Sequence, residues 1–151
     1  MSVSEYMKLQ VFTDGGSRGN PGPAAFAIVV TDGTGKILKE YARYIGKCTN
    51  NEAEYRGAIA ALEEAMALGA DEVELVSDSQ LLVRQVNGQY ACRAANLKPH
   101  LAKVRKLAKE FSRVTFTSVG REHPMVARAD ALLNHEQDVM RELTPRGRAN
   151  P

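Results

Sequence analysis

The chain has no tryptophan, two cysteines, three histidines and little surplus of charge, a formal +2 over 151 residues. It has no apolar run near the length of a membrane helix, which excludes a helical membrane span. Its opening, MSVSEYMK, has no basic segment followed by an apolar one. No signal peptide is therefore expected, and the cytoplasm is the expected compartment. Cys48 and Cys92 form no metal-ligand spacing and are expected to be free thiols. No repeat or linker divides the chain, which at this length reads as one domain able to bury a substantial core.

What is present is the balance of an ordinary globular protein, with 44% hydrophobic and 25% charged residues. The charge is uneven. Seven Lys or Arg residues (93, 98, 103, 105, 106, 109, 113) lie between Arg93 and Arg113, against one acid, Glu110. Such a run is a solvated helix face or a surface facing nucleic acid, and charge alone favours the former.

The stretch Thr13–Gly22, TDGGSRGNPG, organises the chain. It closes an apolar strand near residues 8–13, places Asp14 at that strand's end, and turns through glycines and a proline into a second strand, 24–31. Asp32-Gly33-Thr34-Gly35 reads as a hairpin turn into a third strand, 36–45, completing an antiparallel meander. Thr49-Asn50-Asn51-Glu52 is a capping box opening an Ala-rich helix to about Leu68, with Gly69 as its stop. A fourth strand spans 73–77, a short helix Ser79–Val86, a longer helix 96–111, a fifth strand 114–119 and a last helix 125–140. Strands four and five are reached through helices and should run parallel to strand one. Residues 7–141 are expected to form the domain, and 142–151 a mobile tail.

Four carboxylates carry the chemistry. On the first helix, Tyr55, Ile59, Leu62 and Met66 mark the expected core face, and Glu54 borders it in a row with Ala58, Ala61 and Ala65. Glu54 is then a costly buried charge or an edge residue reaching solvent, and helical geometry leaves both open. Asp78 follows a strand, as Asp14 does, but taken alone it reads as the N-cap of the helix beginning at Ser79. Asp130, in ARADALLN, reads alone as an acid near a helix start. Two strand ends and two helices could bring all four to one point. Carboxylates about 4 Å apart repel by roughly 4 kcal/mol at an effective dielectric near 20, so the cluster calls for cations. All-oxygen ligands suit Mg²⁺ or Mn²⁺, and two such ions can clamp a phosphodiester displacement.

With those residues in place, the chain resembles the type 1 ribonuclease H family. TDGGSRGNPGPAAFA, TNNEAEYRGAIAALEEA, SDSQLLVRQVNG and ADALLN occur in that family's order and at about its spacing, across residues 8–140. The resemblance implies an α/β fold with a five-stranded mixed sheet, strands one to three antiparallel and four and five parallel, flanked by helices. It implies metal-dependent endonucleolytic hydrolysis of the RNA strand of RNA–DNA hybrids, leaving 5′-phosphate and 3′-hydroxyl ends. Asp14, Glu54, Asp78 and Asp130 would be the catalytic, metal-binding acids for two Mg²⁺ ions, with Mn²⁺ possible. The absence of a serine, cysteine or histidine nucleophile arrangement fits direct attack by water. Asn20, Asn50 and Gln80 would read the 2′-hydroxyl, and Lys47, Thr49 and Asn96 would hold a DNA-strand phosphate.

The chain also departs from that pattern. His123 would be the family's loop histidine, assisting proton transfer or product release, but it precedes Asp130 by only seven residues, beside Glu122 and Pro124. The alternative is an ordinary loop histidine. Residues 87–97 hold no basic, tryptophan-containing handle, so the chain resembles the handle-less prokaryotic branch. The cations of 93–113 would partly substitute, with steep salt dependence. No separate N-terminal hybrid-binding domain is expected, and nothing demands more than a monomer. The other readings are a non-catalytic nucleic-acid-binding module of the same fold, and a related metal-dependent nuclease with another substrate.

Overall fold

A computed structural model describes residues 5–143. Its elements are β1 (Lys8–Ser17), β2 (Gly22–Thr31), β3 (Ile37–Cys48), α1 (Asn50–Ala67), β4 (Glu72–Ser77), α2 (Gln80–Val86), α3 (Lys98–Ala108), β5 (Arg113–Ser118) and α4 (Pro124–Leu143). The strands form one sheet in the order β3-β2-β1-β4-β5. β1, β2 and β3 pair antiparallel, and β4 joins β1, and β5 joins β4, in parallel. This is the expected mixed sheet.

Strand periodicity sorts the sheet's two faces. Leu9 and Val11 of β1, with Val73 and Leu75 of β4, pack with α1 and α3. Phe12 and Val76, on the opposite face, pack against Val126, Ala129 and Leu133 of α4. α4 lies mainly over the β1-β2-β3 half of that face, and Arg128 grips Glu40 of β3 through two contacts at 2.5 and 2.8 Å. Beyond it the same face is polar. Gln10 donates to Glu74 at 2.7 Å, and Thr117 donates to the other oxygen of Glu74 at 3.2 Å.

Local chemistry sets the element boundaries. The Asp32 carboxylate accepts from the backbone N–H groups of Thr34 and Lys36, closing the β2–β3 turn. Thr49 and Glu52 complete the capping box, and Gly69 takes the positive φ of +85° that ends α1.

Several expectations need correction. β1 does not stop at Thr13 but pairs with β2 as far as Ser17↔Ala24, so the turn proper is only residues 18–21. α3, capped at Leu97 beside the expected Asn96, ends at Ala108 rather than about Phe111. The core face of α1 is broader than the expected one. Tyr55 and Leu62 are fully buried as expected, Ala58, Ala61 and Ala65 are fully buried beside them, and Met66 is 39% exposed. Small side chains let this helix lie close on the sheet, so the alanine row joins the core. α4 continues past Met140 to Leu143, making residues 142 and 143 its last turn; the rest of the expected tail lies outside the described residues.

Candidate active site

The parallel ladder between β1 and β4 ends at the pair Thr13↔Ser77. Asp14 and Asp78 are the next residue on each strand. By alternation they share the face of Phe12 and Val76, the face that α4 covers. Asp14 is not at the end of its strand, as expected, because it still pairs with Ala27 of β2. It is at the end of the parallel ladder, where the sheet opens. The cap of α2 is Ser79, whose hydroxyl accepts from Leu82 N–H at 3.2 Å. Asp78 is therefore not used as the cap, and its carboxylate remains for the site.

Glu54 reaches Asp14 because β1 carries glycine beside it. A Cβ on Gly15 would lie 2.5 Å from the Ala53 carbonyl carbon and 2.6 Å from the Glu54 nitrogen. Gly57 makes the same allowance one turn on, where a Cβ would meet Phe26 Cβ at 3.2 Å and Asp14 O at 3.5 Å. The helix backbone thus rests against the strand, with Glu54 in the deeply buried alanine row.

Carboxylate oxygens of Asp14, Glu54 and Asp78 all lie within 4.8 Å of one another. Asp130, exposed on α4, borders the same cluster closely enough to help raise the Asp14 pKa. Three of the four expected acids therefore meet at one point, and Asp130 stands at its border. Burial raises the Asp14 pKa to about 8, and the charges of Asp78 and Asp130 add to the shift. Burial likewise raises Glu54 well above the carboxylate range, reinforced by Asp14 and Asp78. Glu54 as a residue is only half-buried, but its Oε1 is sealed from solvent and has no hydrogen-bond partner. The atom's own environment decides its chemistry, and that environment is desolvated. Asp78 is raised by burial, opposed by Arg121, whose Nε is 4.0 Å away.

A buried, unpartnered carboxylate oxygen beside two more carboxylates is a poor arrangement for a protein alone. It fits a hard cation held by oxygen ligands. The donor set contains no sulfur or nitrogen that would favour a softer metal.

The remaining expected residues divide into groups. Asn50 N–H donates to Asn20 Oδ1 at 3.0 Å, and Asn50 Oδ1 accepts from Ser17 N–H at 2.7 Å, so Asn20 and Asn50 form one unit. Gln80 is exposed at the first position of α2, two residues after Asp78. Thr49 and Asn96 meet through Glu52, whose pKa is lowered chiefly by the Thr49 N–H and also by the Asn96 side chain. Lys47 is exposed near the end of β3, two residues before Thr49. His123 stacks on Phe12, with ring centroids 5.2 Å apart, and its Nδ1 accepts from Met125 N–H at 3.2 Å. The seven cations of 93–113 are all exposed and, among the described residues, none is in a salt bridge. Arg105 donates to Gln85 O at 3.1 Å.

Sequence reasoning missed Gly15 and Gly57 as the means of close approach. The signal was available, since a glycine inside an otherwise Ala-rich helix marks close packing. It also missed Glu52 as the link between Thr49 and Asn96, which depends on a contact across the fold.

Known proteins share this fold. A family model described as reverse transcriptase-like matches residues 12–134. Ribonuclease HI of Halobacterium salinarum is 41% identical over 131 residues, 87% of this chain and 65% of the relative. The solved RNase H1 of that archaeon superposes with a TM-score of 0.83 at 40% identity, covering 87% of this chain and 98% of that one. LC11-RNase H1, solved in complex with an RNA/DNA hybrid, is 42% identical with a TM-score of 0.78, covering 84% of this chain and 94% of that one. The chain spans 36% of a bifunctional Mycobacterium tuberculosis protein that is 41% identical to it, so it spans less than two thirds of these curated relatives. A match across nearly the whole fold, with Asp14, Glu54 and Asp78 meeting where the sheet opens, places this chain in the type 1 ribonuclease H family.

Proposed function

We propose that the chain is a metal-dependent endoribonuclease that hydrolyses the RNA strand of RNA–DNA hybrids, giving 5′-phosphate and 3′-hydroxyl ends. The observation that carries this is the approach of Asp14, Glu54 and Asp78 to within 4.8 Å, with Glu54 Oε1 buried and unpartnered. The likeness to an RNase H1 solved with an RNA/DNA hybrid supports the choice of substrate.

Asp14, Glu54, Asp78 and Asp130 would hold two Mg²⁺ ions, or Mn²⁺. When bound, such ions activate water and stabilise the leaving 3′-oxygen. The chain's own residues hold the acids on rigid elements and bring the substrate to them. Asn20 and Asn50 read the 2′-hydroxyl as one unit, and Gln80 joins from the start of α2. Thr49, with Lys47 and Asn96, receives a DNA-strand phosphate. The Thr49 hydroxyl oxygen accepts from the Glu52 N–H in the cap. His123 assists at the leaving side from its seat on Phe12. The exposed cations of α3 face the hybrid backbone. Free cysteines and the absence of a membrane-spanning helix among the described residues are in keeping with a cytoplasmic monomer.

Asp14→Asn tests the reading. It should lower cleavage about a thousandfold, several kcal/mol of transition-state stabilisation, while hybrid binding persists. Unchanged cleavage would remove Asp14 from the site, and with it the metal reading.

A further inference from the structure

Gln137 is a buried polar residue of α4, 6% exposed, in a helix face otherwise filled by Val126, Ala129 and Leu133. Its Nε2 donates to Gly16 O at 3.2 Å and to Pro23 O at 3.4 Å. Those carbonyls belong to the two strands flanking the 18–21 turn, so one amide holds both sides of the hairpin tip. The neighbouring Asp138 takes the Arg18 guanidinium at 2.7 Å, and Arg18 also donates to Asn134 O at 3.4 Å.

The same tip is held from α1, where Asn50 Oδ1 accepts from Ser17 N–H and Asn50 N–H donates to Asn20 Oδ1. Each holding helix carries an acid one turn from its grip. Glu54 is four residues after Asn50, and Asp130 is four residues before Asn134, whose Nδ2 donates to Asp130 O at 3.0 Å. The turn that presents Asn20 is thus clamped between the two helices that deliver acids.

We infer that Gln137 is a positioning residue: by pinning Gly16 O and Pro23 O to α4 it fixes the turn carrying Asn20, and so sets how strongly the site selects a ribose 2′-hydroxyl. This rests on the proposed hybrid nuclease activity. With the amide donor removed, Pro23 O keeps the Arg18 N–H at 2.8 Å, but both strands lose their tie to α4 and the tip gains freedom against that helix. The acids, held by β1, β4, α1 and the upper half of α4, keep their places. The effect falls on substrate selection rather than on the chemical step.

Gln137→Met removes the donor at similar length, and Asp138→Asn loosens Arg18 at an exposed position, so that one variant folds whatever the fate of the other. Steady-state cleavage of an RNA–DNA hybrid should show KM raised about five- to tenfold for Gln137→Met and about twofold for Asp138→Asn, with kcat within about twofold of the parent. With chelator present, the ratio of hybrid to DNA–DNA duplex affinity should fall in step. A merely structural role would lower the melting temperature and leave that ratio and KM alone, and this result would overturn the inference. So would a drop in kcat at unchanged KM. A parent protein that binds the hybrid without cutting it would overturn the nuclease reading instead, and the affinity ratio would still decide the role of Gln137.

Discussion

Asp14 and Asp78 stand side by side, each one residue beyond the last rung, Thr13↔Ser77, of the parallel ladder between β1 and β4. That register makes two carboxylates neighbours without any long-range adjustment of side chains. Glu54 joins them from the α1 face through the gap left by Gly15, and Asp130 from α4.

The metal-free protein should lose stability as pH rises. The Asp14 pKa is about 8 when folded against 3.8 ordinarily, so between those values the folded state binds more protons than the unfolded one. Stability from this group is therefore highest below about pH 4 and falls progressively up to about pH 8. Glu54 acts in the same direction. In chelator at pH 8, Asp14→Asn should melt higher than the parent by about 5 °C, with the gap closing toward pH 4. Mg²⁺ should stabilise the parent at pH 8 and release protons on binding. Scanning calorimetry across pH checks both; a gap that widens toward acid would contradict the assignment.

Gly15→Ala should be destabilising by about 3 kcal/mol, since its Cβ would meet α1 backbone atoms rather than a yielding side chain. Relief of the clash requires α1 to move, and Glu54 moves with it. Cleavage should fall by about a hundredfold, as expected for displacement of a reacting group by about 1 Å. Urea unfolding and hybrid cleavage on the same preparation read both effects.

His123 makes two separable contacts. Its Nδ1 accepts from Met125 N–H at the start of α4, and its ring stacks on Phe12. Asn at this position can supply the acceptor but not the ring nitrogen at the far side. His123→Asn should keep most of the stability that His123→Ala loses, about 1 kcal/mol for a helix cap. Turnover should fall equally in both. Normal turnover in the Asn variant would reduce His123 to a cap.

The exposed lysines of α3 should govern salt dependence. For Lys103→Gln combined with Lys106→Gln, the slope of log hybrid affinity against log salt should shrink by about 1 to 2. An unchanged slope would place this face in solvent, away from the hybrid.

Much of this was legible in the sequence because the signals were local. The capping box at Thr49 fixed the start of α1, Gly69 its end, and the turn at Asp32 the meander. The acids could be paired with strand ends and helices from pattern and family resemblance. What was not legible depended on approach between elements. The β1 strand runs through Gly15 and Gly16 because β2 continues to pair with it, although glycine by itself favours a break. The buried face of α1 takes in its alanine row beside Tyr55 and Leu62, because Gly15 and Gly57 let the helix approach β1 closely. Asp78 was the stronger cap candidate from sequence; Ser79 took that place, and the carboxylate went to the site.

The most direct test of the central claim is cleavage of a duplex with one end-labelled RNA strand and a DNA complement. It would be run with Mg²⁺, with Mn²⁺ and with chelator, beside RNA–RNA and DNA–DNA duplexes. The account predicts metal-dependent cutting of the hybrid's RNA strand alone, with 5′-phosphate and 3′-hydroxyl ends. Intact hybrid under either metal, with binding retained, would contradict it and leave a nucleic-acid-binding module with a cluster of acids that does no chemistry.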